Sequence, residues 1–178
     1  MINQLGSYSL YISLICSGYL IYKSYFNQFI SPKNIESKIF SVLSIQLFMT
    51  ILSFSSLIFA FVLSDFSNLT AYNNSHSLKP FFYKVSGTWG NHEGSLLLWL
   101  LVLIIILFIF FIKSKKLFLR YRILTILFQQ IIIFGFLLFI LFTSNPFINV
   151  FPIPSEGLGL NPILQDPALA IHPPLLYV

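Results

Sequence analysis

Charge is what this chain has least of. Only 8% of its 178 residues are Asp, Glu, Lys or Arg, against about a quarter in an ordinary soluble domain. Four stretches carry none: Leu5 to Tyr22, Ile39 to Leu63, Ser95 to Ile112 and Ile123 to Phe142. With 57% hydrophobic residues and a mean hydropathy of +0.86, that scarcity excludes a water-soluble globule. Cysteine is limited to Cys16, inside the first stretch. There is therefore no CxxC pair to exchange thiols and no thiolate metal cluster, and Cys16 reads as a small buried packing residue. A zinc-protease motif is also missing, because Leu96 stands where a second histidine would have to follow His92-Glu93. Alanine is scarce too, at four residues, while Phe, Ile, Asn and Lys abound. That is the composition of an AT-rich coding genome, which a mitochondrion-encoded gene fits.

What is present is membrane-spanning length. The four uncharged stretches hold 18 to 25 residues, and at the helical rise these cover roughly 27 to 37 Å, enough for a hydrocarbon core of about 30 Å. A β-barrel would need polarity alternating along strands of about ten residues, and these stretches are apolar on every side. The expected fold is an all-α integral membrane protein with four transmembrane helices. The first stretch is expected to be a retained helix, since Met1-Ile2-Asn3-Gln4 lacks the positive flank of a secretory signal. No Arg-rich amphipathic presequence precedes it, so nothing suggests import into an organelle.

The few charges are unevenly placed. Eight of the ten basic residues fall in two connections: Lys23, Lys33 and Lys38 after the first stretch, and Lys113, Lys115, Lys116, Arg120 and Arg122 between the third and fourth. The acids Asp65, Glu93, Glu156 and Asp166 fall in the other connections. By the positive-inside rule both termini belong outside. The net charge of +5 is thus a topology signal and makes no case for nucleic-acid binding. The expected organisation is a four-helix transmembrane region over 1–142, including an outer loop 64–94, followed by a Pro-rich outer segment 143–178. Seven of the nine prolines lie in that segment. Such density disfavours regular helix, yet Leu158, Leu160, Ile163, Leu164, Leu169 and Ile171 indicate that it packs.

All three histidines fall on the outer side. His76, among Asn73, Asn74 and Ser75, reads as a solvated loop residue. His92 and Glu93 precede Gly94-Ser95 at a helix start: Ser95 is expected as the N-cap, with Glu93 complementing the positive helix end. Ligand or proton-transfer work by His92 is the other reading. His172 is followed by Pro173-Pro174, which predicts extended backbone and a stiffly held imidazole. Its apolar neighbours Leu169, Ile171, Leu175, Leu176 and Tyr177 suit an axial haem ligand; the bland alternative is a residue that starts another helix. Trp89 and Trp99 read equally as interfacial anchors. The tripeptides at Asn68 and Asn73 match glycosylation sequons, which matter only in a secretory compartment.

Five segments in order are more specific than any of these alone: Trp89-Gly90-Asn91-His92-Glu93-Gly94-Ser95-Leu96-Leu97-Leu98-Trp99, Phe142-Thr143-Ser144-Asn145-Pro146-Phe147, Glu156-Gly157, Leu160-Asn161-Pro162-Ile163-Leu164-Gln165-Asp166-Pro167 and His172-Pro173-Pro174-Leu175-Leu176-Tyr177. Through them the chain resembles the N-terminal part of the CcmF family, haem lyase subunits of the multi-component cytochrome c maturation system in many bacteria and some mitochondria.

The resemblance implies a function. Haem, a b-type substrate bound transiently, would arrive on a membrane-anchored haem chaperone and be joined through its vinyl groups to the CxxCH thiols of apocytochrome c, kept reduced by a thiol-reducing partner. His172 would be one axial ligand; no catalytic residue is assigned and no metal other than haem iron is expected. Trp89, His92, Glu93, Asn161, Pro162, Asp166, Pro173 and Pro174 are further candidates for contact with haem or a partner chain. The family's second outer histidine, its WWD segment and its membrane-embedded haem ligands would follow Val178, on a remaining CcmF-like chain. The chain is therefore expected to be a split subunit or truncated product, inactive as a lyase alone, in a mitochondrial inner membrane or, alternatively, a bacterial one. The competing reading is a non-catalytic membrane subunit: a haem-handling, quinone-site or ion-path component. It is weakened because the four uncharged stretches offer only Gln46, Gln129 and Gln130, which more often join helices.

Overall fold

The computed structural model describes residues 1–27, 35–159 and 165–176. Four long helices, α1 (Ile2–Asn27), α2 (Ile35–Val62), α5 (His92–Lys113) and α6 (Leu119–Phe142), are each long and apolar enough to cross a membrane. Three short helices accompany them: α3 (Leu69–Asn74), α4 (Phe81–Gly87) and α7 (Pro167–Leu176). The long helices pass the ends of the uncharged stretches by up to five residues. Terminal residues such as Glu36, Lys38, Arg120 and Arg122 continue the helical backbone while their head groups reach the boundary or a partner.

The four long helices form a ring in which α1 touches α2 and α6, and α5 touches the same two. Leu10, Leu20, Leu43, Leu57, Leu97, Ile104, Ile133 and Leu137 fill its centre. Outward positions stay apolar: Phe48, Phe59, Phe128 and Ile131 are exposed, as expected of a surface solvated by lipid rather than water. A helix in such a solvent gains little by burying leucine, so polar pairing and close fit must supply specificity.

That pairing lies at mid-bundle. Gln46 on α2 and Gln130 on α6 exchange amide hydrogen bonds, Gln130 Nε2 donating to Gln46 Oε1 at 2.8 Å and Gln46 Nε2 to Gln130 Oε1 at 3.2 Å. Ser17 of α1 donates to the same Gln130 Oε1 at 2.7 Å, and Ser13 pairs with Thr50 at 3.0 Å. Three helices are thus fixed in register by groups that are all buried. The helix-joining role expected of Gln46 and Gln130 is what the structure shows.

One end of the bundle gathers the first residues of α1, the 63–91 connection and the segment after α6. Asn68 caps α3 by accepting from Ala71 N at 2.8 Å, and its amide donates to Asn3 Oδ1 and to Pro146 O. Asn3 in turn donates to Asn149 Oδ1 at 2.8 Å. Asn145 turns the chain by accepting from Phe147 N, and the Phe147 ring occupies the space that a side chain at Gly6 would need. The connection between α2 and α5 holds α3 and α4. At this end one expectation fails: the Pro-rich segment contains a helix, α7, that runs through Pro173 and Pro174. The extended backbone expected around His172 is therefore replaced by helix, for a reason found at Trp89.

Gln130→Leu should strand the Gln46 amide, while the Ser17 hydroxyl keeps the Gln130 backbone carbonyl at 3.1 Å, and should lower unfolding stability in detergent by about 1–2 kcal/mol. Replacing Gln46 by Leu as well should recover part of that loss, so a double-mutant cycle with additive effects would contradict the pairing.

Candidate functional site

The segment that begins at Trp89 is a joint between two helices. Asn91 has extended backbone and caps α5, its Oδ1 accepting from Gly94 N at 2.7 Å. The same side chain donates from Nδ2 to Gly87 O at 2.8 Å and to Thr88 O at 3.1 Å, the last carbonyls of α4. One amide therefore satisfies orphan groups at both a helix C-terminus and a helix N-terminus. A Cβ on Gly94 would overlap the Thr88 carbonyl oxygen, so only glycine allows this approach. Ser95 is not the cap: its hydroxyl donates back to His92 O at 2.9 Å, inside the first turn. The expected Ser95 cap is thus replaced by Asn91, whose side chain also reaches the end of α4. Glu93 lies in the first turn of α5, as expected, where its charge complements the helix dipole.

Trp89 explains α7. Proline has no N–H, so Pro174 leaves the carbonyl of Ala170, four residues earlier, without its helical donor. The indole Nε1 of Trp89 donates to that carbonyl at 2.8 Å. Asp166 completes the other end, its Oδ1 accepting from Ala168 N at 2.9 Å and Leu169 N at 3.1 Å, with Pro167 at the first helical position where a missing N–H costs nothing. Ala170 is the buried residue of α7. His172 follows it by two positions, about 200° around the helix, and is exposed together with Leu169, Leu175 and Leu176. Among the described residues the imidazole has no hydrogen-bond partner. The outer surface of α7 is thus one histidine among leucines.

His92 opens α5 and is exposed, with Nε2 at 3.1 Å from Ser144 Oγ, so it ties α5 to the segment after α6. His76 is not simply solvated. It is half-buried, its Nδ1 accepts from Leu78 N at 3.2 Å, and it lies 3.8 Å from Glu156. Trp99 stacks edge-on against Phe136 at 4.8 Å and is partly exposed, compatible with an anchor. Asn161 and Pro162 lie outside the described residues. Trp89, Asp166, Pro173, Pro174 and His172 are brought together on or against α7, whereas His92 and Glu93 belong to the neighbouring helix start.

Glu156-Gly157 fastens the same end. The carboxylate accepts from the Ser77 hydroxyl at 2.5 Å, Ser77 N at 2.9 Å and Gly157 N at 3.1 Å. A side chain on Gly157 would overlap the Ser75 carbonyl, which accepts from Gly159 N at 3.0 Å. The Ser77 hydroxyl first, then the backbone N–H of Ser77, with Gly157 and His76 adding less, hold the Glu156 carboxyl down at about 2 from its ordinary 4.5. No cluster of His, Cys, Asp or Glu suited to a metal ion occurs among the described residues.

With this geometry in view, the likeness to known proteins is informative. A family model described as Cytochrome C assembly protein matches residues 89–178, starting at the tryptophan that caps α7. The cytochrome c-type biogenesis protein CycK of Rhizobium meliloti is 51% identical over 133 residues, 71% of this chain and 19% of that protein. CcmF of Escherichia coli is 46% identical over 134 residues, 74% of this chain and 21% of that protein. CcmF of Haemophilus influenzae is 39% identical over 186 residues, all of this chain and 28% of that protein. Among solved structures, the cytochrome c heme lyase CcmF has the same fold, with a TM-score of 0.82 at 17% identity over 99% of this chain and 28% of the other. The chain spans 19% to 28% of the length of these proteins.

A carboxylate whose folded pKa is depressed adds stability that is complete above 4.5 and disappears as pH falls toward 2. Hydrogen exchange at Leu158 and Gly159, whose amides bond Tyr72 O and Ser75 O, should therefore be slow and steady above pH 5 after correction for intrinsic rate. Protection should decline between pH 4.5 and 2. In Glu156→Gln that acid-linked decline should be absent; if it persists, another group holds this segment.

Proposed function

The chain belongs to the cytochrome c assembly protein family, and from this membership we propose that it is the N-terminal portion of a haem lyase, presenting His172 on the outer membrane face as one axial ligand to haem. The observation that carries the proposal is the exposed, unpartnered imidazole on a helix whose proline-freed carbonyl is capped from the body by Trp89. Haem is the substrate, and the residues present fit one side of it. An imidazole supplies a ligand, and Leu169, Leu175 and Leu176 supply an apolar surface for the macrocycle. A single exposed histidine holds haem weakly, so the chain acts with the remaining part of the lyase, which supplies the opposite wall.

In this role the chain positions rather than reacts. Trp89, Asp166 and Pro167 keep α7 helical and oriented; Asn91 and Gly94 keep α4, from which Trp89 follows, fixed to α5. The reaction served is addition of each CxxCH thiol across a haem vinyl group, the S–C bond forming at one carbon and the thiol proton ending on the other. A haem chaperone, reduced apocytochrome c and a thiol reductant are the partners this chemistry calls for. The alternative of an ion-path subunit gains little from the structure: Arg122, the buried charged side chain among the described residues, is paired with Glu36 near the start of α6. The AT-rich composition supports a mitochondrial inner membrane, and the bacterial relatives support a bacterial inner membrane.

In the assembled lyase, His172→Ala should lower retained haem severalfold, with partial recovery on adding imidazole. Trp89→Phe, which keeps the ring but loses the N–H, should lower retention less and should not respond to imidazole. Undiminished haem absorption and thioether formation in His172→Ala would end the ligand assignment. The outer location is itself part of the proposal: it follows from the basic residues gathered at the opposite end of the bundle. A cysteine at Phe118 should therefore react with a membrane-impermeant thiol reagent only from the inner side, and labelling from outside would reverse the orientation.

A further inference from the structure

The end of the bundle away from α7 holds a cleft of about 430 Å³ between the start of α2, the end of α5 and the start of α6, lined by Glu36, Phe40, Phe111, Ile112, Lys115 and Arg122. Its charges are arranged unequally. Arg122 is 3% exposed and fully engaged: Nε donates to Ser114 Oγ at 3.0 Å, Nη2 to Phe111 O at 3.1 Å, Nη1 to the Glu36 carboxylate, and the guanidinium lies 5.0 Å from the Phe111 ring centroid. Glu36 is thereby neutralised within the wall. Lys115 is exposed and, among the described residues, has no hydrogen bond or ion pair. Lys38, Lys113, Lys116 and Arg120, on the same helix ends and the turn between α5 and α6, are likewise exposed and, among the described residues, unpaired. The remaining wall is apolar, with Phe40 stacked against Phe111 at 6.3 Å and Ile112 in the last turn of α5.

We propose that this cleft is a site for an anionic phospholipid, its phosphate on Lys115 and its first acyl methylenes against Phe40, Phe111 and Ile112. Charge complementarity selects the sign, since the surrounding cations have no acid left to neutralise them. The apolar wall, at the last turn of a spanning helix, selects a ligand that carries a tail next to its charge and so disfavours a free phosphate. The paired Arg122 and Glu36 build the floor and join three helices. This assignment is independent of the haem proposal, which concerns the other end.

The test is lipid retention by the full-length protein in its native complex, purified in mild detergent and titrated with phosphatidylglycerol or phosphatidylcholine before native mass spectrometry. Phosphatidylglycerol should be held in preference, and Lys115→Gln should reduce its retention about fivefold while leaving phosphatidylcholine and haem retention unchanged. Ile112→Trp, which fills the cleft without altering charge, should reduce phosphatidylglycerol retention as well. Glycerol phosphate at matched concentration should not compete; full competition would show a simple anion site and overturn the lipid assignment. Equal retention of the two lipids, or unchanged retention in both variants, would overturn it too.

Discussion

A carbonyl without a donor governs the end of this molecule that carries α7. Pro174 cannot hydrogen-bond Ala170, and in an environment poor in water an unsatisfied carbonyl is costly enough to end a helix. The Trp89 indole removes that cost from outside α7. Because Trp89 follows α4, and α4 is fastened to α5 through Asn91, the orientation of α7 is set by the start of a spanning helix 80 residues away in sequence. His172 inherits its outward direction from this chain of contacts.

Most polar residues in the motif segments prove to be fasteners. Asn91 joins α4 to α5, Asn145 turns the chain at Phe147, His92 reaches Ser144, and Glu156 holds the loop at Ser77. Gly94 and Gly157 are glycines because another backbone carbonyl occupies the place of a side chain. Once these are satisfied, Glu93, Thr143 and His172 remain as described motif side chains without a hydrogen-bond partner. Glu93 has a local reason to be where it is, at a positive helix end. His172 has none among the described residues, which is what the proposed role as a haem ligand would require of it.

The two ends of the bundle solve the same problem differently. The end that carries α7 is joined by asparagine side chains and the Trp89 indole. The other uses an ion pair, Arg122 with Glu36, supported by Ser114 and the Phe111 carbonyl. Between them the Gln46–Gln130 exchange fixes helix register where apolar packing against lipid gives little discrimination.

Four spans, their approximate ends and the gathering of basic residues on one side were legible in the sequence, because apolar length and charge position respond to the bilayer residue by residue. The motifs, the candidacy of His172 and the helix-joining glutamines were legible as well, each being a local property of residue type and spacing. What could not be read was partnership. Ser95 read as the cap until Asn91 took that place with its amide on α4; Pro173-Pro174 meant extended chain until Trp89 supplied the donor that proline lacks; Arg122 counted as a topology charge until Glu36 neutralised it. A hydrogen bond between residues 89 and 170 leaves no local trace, since each alone is compatible with another structure, and only the folded chain decides which donor reaches which acceptor.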